Sequence, residues 1–94
     1  MDTLKKFELM EKITRELEDL KNSQTAVLLK ITKIEVDNME LGNKKLEETL
    51  PDIHQNAAAT VDHVDEILRN FGDEKADFGD KNNVDALRAA VQAK

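Results

Sequence analysis

The sequence predicts an all-α, homo-oligomeric protein built on a long N-terminal coiled-coil helix. Its first half repeats every seven residues, and eight of the ten core positions are apolar. One core position holds Met10, Leu17, Gln24, Ile31 and Asn38, and the other holds Ile13, Leu20, Val27, Ile34 and Leu41. Such a repeat keeps one apolar seam facing a neighbouring helix. Charged residues make up 36% of the chain and aromatic residues only 3%, so partner helices rather than an aromatic core must supply the buried surface.

The coiled-coil segment is predicted over residues 1–41. Residues flanking its seam pair with opposite charge if identical helices lie parallel and in register. These pairs are Glu16 with Lys21 and Lys30 with Glu35. The charge pattern therefore favours a parallel oligomer of the chain with itself.

Two layers of this seam bear on the number of strands. Isoleucine occupies both core positions in the layer of Ile31 and Ile34, which favours three or more strands over two. Gln24 and Asn38 are polar core residues, which either fix register or mark loosely packed layers. If Asn38 fixes register, Asn38→Ile is expected to raise thermal stability and mix oligomeric states.

A second heptad follows, and it is out of phase with the first by two residues. Its seam includes Leu46, Leu50, Ile53, Val64, Ile67 and Phe71, with Ala57 and Thr60 at intervening core positions. A straight helix would turn this seam to its far side, so the chain is predicted to turn nearby. Gly42-Asn43 and Pro51 place the break at 42–49 and a second amphipathic helix at 50–71, ended by Gly72.

Residues 72–94 are predicted to form an acidic linker and a short C-terminal helix. Phe71-Gly72-Asp73 is echoed by Phe78-Gly79-Asp80. Both copies are either docking motifs or parts of the helix packing, and the candidate partner contacts are Phe78, Asp80 and Leu87. Asn82 or Asn83 can cap the short helix, which begins at Val84 and ends near residue 93.

The sequence offers no catalytic, cofactor or metal signature. His63 and Glu66 can share a helical face, but this single pair lacks the repeated ligands of metal-binding bundles. The chain has no cysteine and a net charge of −6. It lacks the basic stripe that phosphate contacts need, which argues against direct binding to nucleic acid. Without a long apolar run, no membrane span is predicted, and we expect a cytoplasmic protein, in the host cytoplasm if it is viral.

These features favour a non-enzymatic interaction protein: a scaffold, assembly chaperone or adaptor that binds an unidentified protein client through its second helix and tail. In outline, the order of long seam, break, short helix and acidic tail resembles small coiled-coil assembly chaperones of tailed phages. The alternative is an acidic regulator that inhibits a nucleic-acid-handling enzyme by phosphate mimicry. It depends on the excess of acids between Asp52 and Glu74, where six acids accompany one base.

Overall fold

The computed structural model describes residues 2–93, which form three α-helices. Helix α1 spans Thr3–Leu41, α2 spans Lys44–Lys81 and α3 spans Val84–Gln92. The predicted all-α class and the long first helix are therefore confirmed. No helix in the described range is long and apolar enough to cross a membrane.

The chain folds as two units. Unit 1 comprises Met1–Glu18 and Glu66–Lys94, and it contains the start of α1, the end of α2 and all of α3. Unit 2 comprises Asp19–Asp65 and is a hairpin of the second part of α1 and the first part of α2. Neighbouring helices in the hairpin run antiparallel because only a two-residue turn joins them.

The turn between α1 and α2 is built by two asparagines and a glycine. Gly42 has φ +69°, and its N–H donates to the Asn38 carbonyl at 2.7 Å. The Asn38 side chain bonds both backbone groups of Asn43, accepting from its N–H at 3.0 Å and donating to its carbonyl at 3.1 Å. The Asn43 side chain then accepts the Leu46 N–H at 3.0 Å and caps α2. The turn is thus complete within residues 42–43.

The predicted break over residues 42–49 is wrong, because α2 already begins at Lys44. Pro51 consequently lies inside α2 instead of in its first turn. An interior proline loses one backbone hydrogen bond and costs about 3 kcal/mol. The Asn43 cap and the burial of Leu50 offset that cost, since apolar burial and capping each contribute on the order of 1–3 kcal/mol.

The predicted end of the second helix at Gly72 is also wrong. Helix α2 continues through Gly72 and Gly79 to Lys81, so the predicted linker is helical over residues 72–81. Each glycine costs only about 0.5–1 kcal/mol in a helix. The half-buried Phe71 and Phe78 keep the end of α2 packed within unit 1.

The short C-terminal helix is confirmed, one residue shorter than predicted. Asn83 is its N-cap residue and adopts the left-handed conformation, with φ 50° and ψ 51°. Asparagine tolerates this conformation better than most residues. Its side chain makes no capping hydrogen bond, so the predicted side-chain cap is absent. The Asn82 side chain instead donates to the Phe78 carbonyl at 2.9 Å.

Candidate interaction surfaces

The two core positions of the first heptad have different surroundings. We call Met10, Leu17, Gln24, Ile31 and Asn38 the inner column of α1, and Ile13, Leu20, Val27, Ile34 and Leu41 the outer column. The inner column is buried or half-buried within the chain. The outer column is exposed, from 36% at Ile13 to 73% at Leu41. The hairpin therefore uses only half of the predicted oligomer core.

The second heptad divides in the same way. Its inner column in α2 is Leu50, Ala57, Val64 and Phe71, and its outer column is Leu46, Ile53, Thr60 and Ile67. Leu50, Ala57 and Val64 are only 5–8% exposed, whereas every residue of the outer column is exposed. Each long helix thus carries one apolar column covered by its own chain and one that is not covered.

In unit 2, two ion pairs lie on the same side of the hairpin. Lys21 Nζ lies 2.6 Å from Asp65 Oδ1, and His54 Nδ1 lies 2.6 Å from Glu35 Oε1. Lys21, Glu35 and His54 each come four residues after an inner-column residue, and Asp65 comes one after Val64. These positions lie on one side of the inner columns. The ion pairs therefore define a polar side of unit 2.

The outer columns of unit 2 lie together on the opposite side. Leu46 comes three after Asn43, and each of the other residues comes three after an inner-column position, which rotates it away from the polar side. We call this surface the unit-2 face; it consists of Leu20, Val27, Ile34, Leu41, Leu46, Ile53 and Thr60. None of these side chains is charged. A contiguous apolar surface of this kind is typical of a protein–protein contact.

Polar residues border the unit-2 face on both helices. They come three residues after the members of the outer columns, and all are exposed. On α1 they are Ser23, Lys30 and Asp37, and on α2 they are Thr49, Asn56 and His63. An apolar centre with a polar rim is the usual arrangement of a protein interface.

Unit 1 is organised around an aromatic pair. The rings of Phe7 and Phe78 stack with centroids 6.3 Å apart and planes at 16°. The Arg88 guanidinium lies 5.1 Å from the Phe7 centroid, and Lys6 Nζ lies 5.4 Å from the Phe78 centroid. Arg88 also pairs with Glu11. Phe78, a predicted partner contact, is therefore part of the packing within unit 1.

The other two predicted partner contacts lie at the surface of unit 1. Asp80 is exposed. Leu87 is 38% exposed and Val91 60% exposed, and both line a shallow groove with Leu4. Val84, at the start of α3, is by contrast 2% exposed. Val84, Leu87 and Val91 share one side of α3. Helix α3 therefore has one apolar side, which is buried at Val84 and remains accessible at Leu87 and Val91.

Potential metal-binding side chains are dispersed over the described residues. No group of three or more His, Cys, Asp or Glu side chains in residues 2–93 is placed to hold a metal ion. His63 and Glu66 are both exposed, and His54 contacts Glu35 in an ion pair across the hairpin. Sequence reasoning missed this pair, as it missed Arg88 with Glu11, because the partners lie on different helices.

No protein-family model, curated protein or solved structure matches this chain. Function is therefore inferred from the unit-2 face and from the accessible side of α3. Both are apolar surfaces bordered by polar residues, and such surfaces bind other proteins.

Proposed function

We propose that the protein is a non-enzymatic, homo-oligomeric interaction protein, acting as a scaffold, assembly chaperone or adaptor. The supporting observation is the balance of apolar side chains among the described residues: fourteen large ones are exposed and five apolar residues are buried. A monomeric protein rarely leaves contiguous apolar surface uncovered. Covering it with protein is favourable by about 25 cal/mol per Å².

The proposed self-association uses the outer columns of a closed hairpin. A parallel coiled coil of α1 with three or more strands, as predicted from the sequence, needs both columns of the first heptad. Ile31 and Asn38 of the inner column are each 8% exposed and already covered by α2. Such a coiled coil therefore requires the hairpin to open, whereas association through the outer columns does not.

The proposed client contact is the accessible side of α3. Leu87 and Val91 lie beside Leu4 in one apolar groove, while Phe78 is occupied by its stack on Phe7. Of the predicted partner contacts, this proposal keeps Leu87 and leaves Phe78 to the packing of unit 1.

Light scattering on the intact chain tests self-association. At micromolar concentration we expect a mass of at least two chains, each of 10.6 kDa. Refractive index should supply the concentration, because the chain has no Trp or Tyr. A folded monomer across the whole concentration range contradicts the proposal.

The client contact is tested by Leu87→Glu, with Ala89→Glu as the matched control on the other side of α3. Chemical crosslinking in cells of the source organism, read by mass spectrometry, should recover the same partner with the wild type and the control. Leu87→Glu should lose it while keeping its helicity and oligomer mass. Equal recovery with both variants places the client contact elsewhere.

The alternative function, inhibition of a nucleic-acid-handling enzyme by phosphate mimicry, is supported by the exposed acids Asp52, Asp62 and Glu66 on α2. A salt titration of binding to the crosslinked partner separates the two functions. Mimicry depends on charge and weakens steeply with salt, whereas apolar docking on α3 is nearly indifferent to it.

A further inference from the structure

The unit-2 face has the form of half a four-helix bundle. In such a bundle each helix contacts two neighbours, so it needs two adjacent apolar columns. In unit 2, each helix uses its inner column for the other helix of the hairpin. Ile34 and Ile53, representative of the outer columns, remain 46% and 44% exposed. The outer columns of the hairpin are thus available for a second helix contact, and unit 2 contains no further helix to cover them.

We propose that the unit-2 face binds the same face of a second copy of this chain, so that two hairpins form a four-helix bundle. This inference rests on the proposed function as a homo-oligomer and names its contact surface, its copy number and its geometry. It replaces three or more parallel strands with two hairpins.

The size of the face fits this partner. The outer column of α1 runs from Leu20 to Leu41 within unit 2, a length of about 30 Å at 1.5 Å per residue. Two packed helices are about 20 Å wide, so each copy contributes about 600 Å². Two copies bury about 1,200 Å², the lower limit of a specific, stable interface.

The chemistry of the face also fits a second copy. None of its residues is charged, so pairing like with like buries no charge. Isologous contact requires this self-complementarity. A differently charged partner would find no ion-pair partner inside the face and could be selected only at its rim.

The rim charges choose between the two possible twofold arrangements. If α1 lies beside α1 of the second copy, the middle of the Leu20–Leu41 column brings Lys30 next to Lys30 of the second copy. If α1 instead lies beside α2 of the second copy, its rim meets Thr49, Asn56 and His63, none of which is a Lys or Arg residue. Like charges in contact are unfavourable, so we assign the second arrangement. It places the two Gly42-Asn43 turns at the same end of the bundle.

Three glutamate variants test the surface. Ile34→Glu and Ile53→Glu lie on the face, and Leu29→Glu is the matched control, since Leu29 is 65% exposed on the side of α1 away from both the face and α2. Sedimentation should show a wild-type dimer and a dissociation constant raised at least about 100-fold by either face variant, because each copy would bury an unpaired charge. The control should change it by less than about threefold.

The outcomes separate this inference from the proposed function. A chain that associates but is insensitive to both face variants overturns the inference and leaves the function standing, as does a mass of three or more copies. A wild type that is monomeric at every concentration overturns both.

A distance measurement tests the geometry independently of the variants. The chain has no cysteine, so Lys44→Cys accepts a single spin label beside the turn. With the turns at the same end, the two labels of a dimer lie about 20 Å apart, and with the turns at opposite ends they lie about 35 Å apart. The shorter distance supports the assigned arrangement, and the longer one overturns it. Dilution with unlabelled chain should remove the signal, which controls for contacts within a copy.

Discussion

Units 1 and 2 use the same two long helices but complete their packing differently. Unit 1 recruits α3, whose Val84 is almost fully buried and whose Arg88 lies over Phe7 and pairs with Glu11. Unit 2 contains no third helix, and its remaining apolar columns stay exposed. A two-helix hairpin of heptad sequence therefore has more apolar surface than its own pairing can cover. Unit 1 gains its extra contacts from its own chain, and in the arrangement proposed above unit 2 gains them from a second copy.

The largest effects are expected when a charge is introduced separately into the inner and the outer column of unit 2. Ile31 belongs to the inner column and Ile34 to the outer one, three residues apart on α1. We expect Ile31→Asp to lower the free energy of unfolding by about 3–5 kcal/mol, because the charge is buried within one chain without a partner. Ile34→Asp should dissociate the oligomer and retain most of the helical circular dichroism signal at low temperature.

Thermal melts and sedimentation of both variants check this prediction. The sequence alone predicts that either change destroys fold and oligomer together, because both residues belong to one seam. Equal loss of helicity in the two variants would show that Ile31 and Ile34 belong to one seam, and it would contradict the distinction between inner and outer columns.

Deleting residues 82–94 should affect unit 1 alone. The loss of buried Val84 and of the Arg88 contacts should cost about 2–3 kcal/mol. Amide hydrogen exchange should accelerate over residues 3–18 and 66–81 and stay slow over residues 19–65. The number of copies in the oligomer should not change. From the heptads alone, deleting residues 72–94 is expected to cost little stability, because it removes no position of either heptad. Unchanged exchange in unit 1 would support that view and contradict the structural role of α3.

Asn38→Ile distinguishes a turn residue from an oligomer register residue. In unit 2 the Asn38 amide bonds the Asn43 backbone twice. Isoleucine removes both bonds and leaves the Asn43 N–H without its side-chain partner, while the Asn43 carbonyl still accepts the Glu47 N–H. We expect a loss of about 1–3 kcal/mol in thermal unfolding, with the oligomeric state unchanged. Asn70→Ala, at an exposed position of α2, should shift stability by less than about 0.5 kcal/mol. A more stable Asn38→Ile with mixed oligomers would restore the register role.

Local pattern was sufficient to predict the helices and the apolar columns. Ile31, Leu50 and Val64, which the seven-residue spacing places on the predicted seams, are buried within the chain. The chain also turns at residues 42–43, close to the phase shift between the heptads. Periodicity records which positions share a side of a helix. It does not record whether a column faces the same chain or another one, so the two columns could not be told apart.

The wrongly predicted boundaries of the second helix come from long-range packing. Pro51 and Gly72 are sound local signals for a helix boundary, but each costs only a few kcal/mol or less, and burial on the other helix outweighs them. The Phe7–Phe78 stack and the Arg88–Glu11 pair join residues more than seventy positions apart. Nothing in the sequence near either partner signals such contacts. Phe78 stacks on Phe7 within unit 1, whereas Leu87 remains 38% exposed.

The two glycines of α2 differ in the space available for a side chain. A Cβ atom on Gly72 meets nothing within 4 Å, but one on Gly79 lies 2.9 Å from Phe7 Cε1. We expect Gly72→Ala to stabilise the protein by about 0.5–1 kcal/mol through helix propensity. Gly79→Ala should instead destabilise it by about 1 kcal/mol, because overpacking outweighs the same gain.

Thermal unfolding of the two alanine variants, alone and combined with Phe7→Leu, measures the difference. The smaller leucine side chain should relieve the clash, so Gly79→Ala should become stabilising in that background and Gly72→Ala should keep its gain, a coupling that a double-mutant cycle resolves. The Phe7 ring is held by Phe78 on one side and Arg88 on another, so it cannot simply move aside. If both glycine variants stabilise the wild type equally, the ring does move. The packing around Phe7 would then be too loose to support the contrast drawn between unit 1 and unit 2.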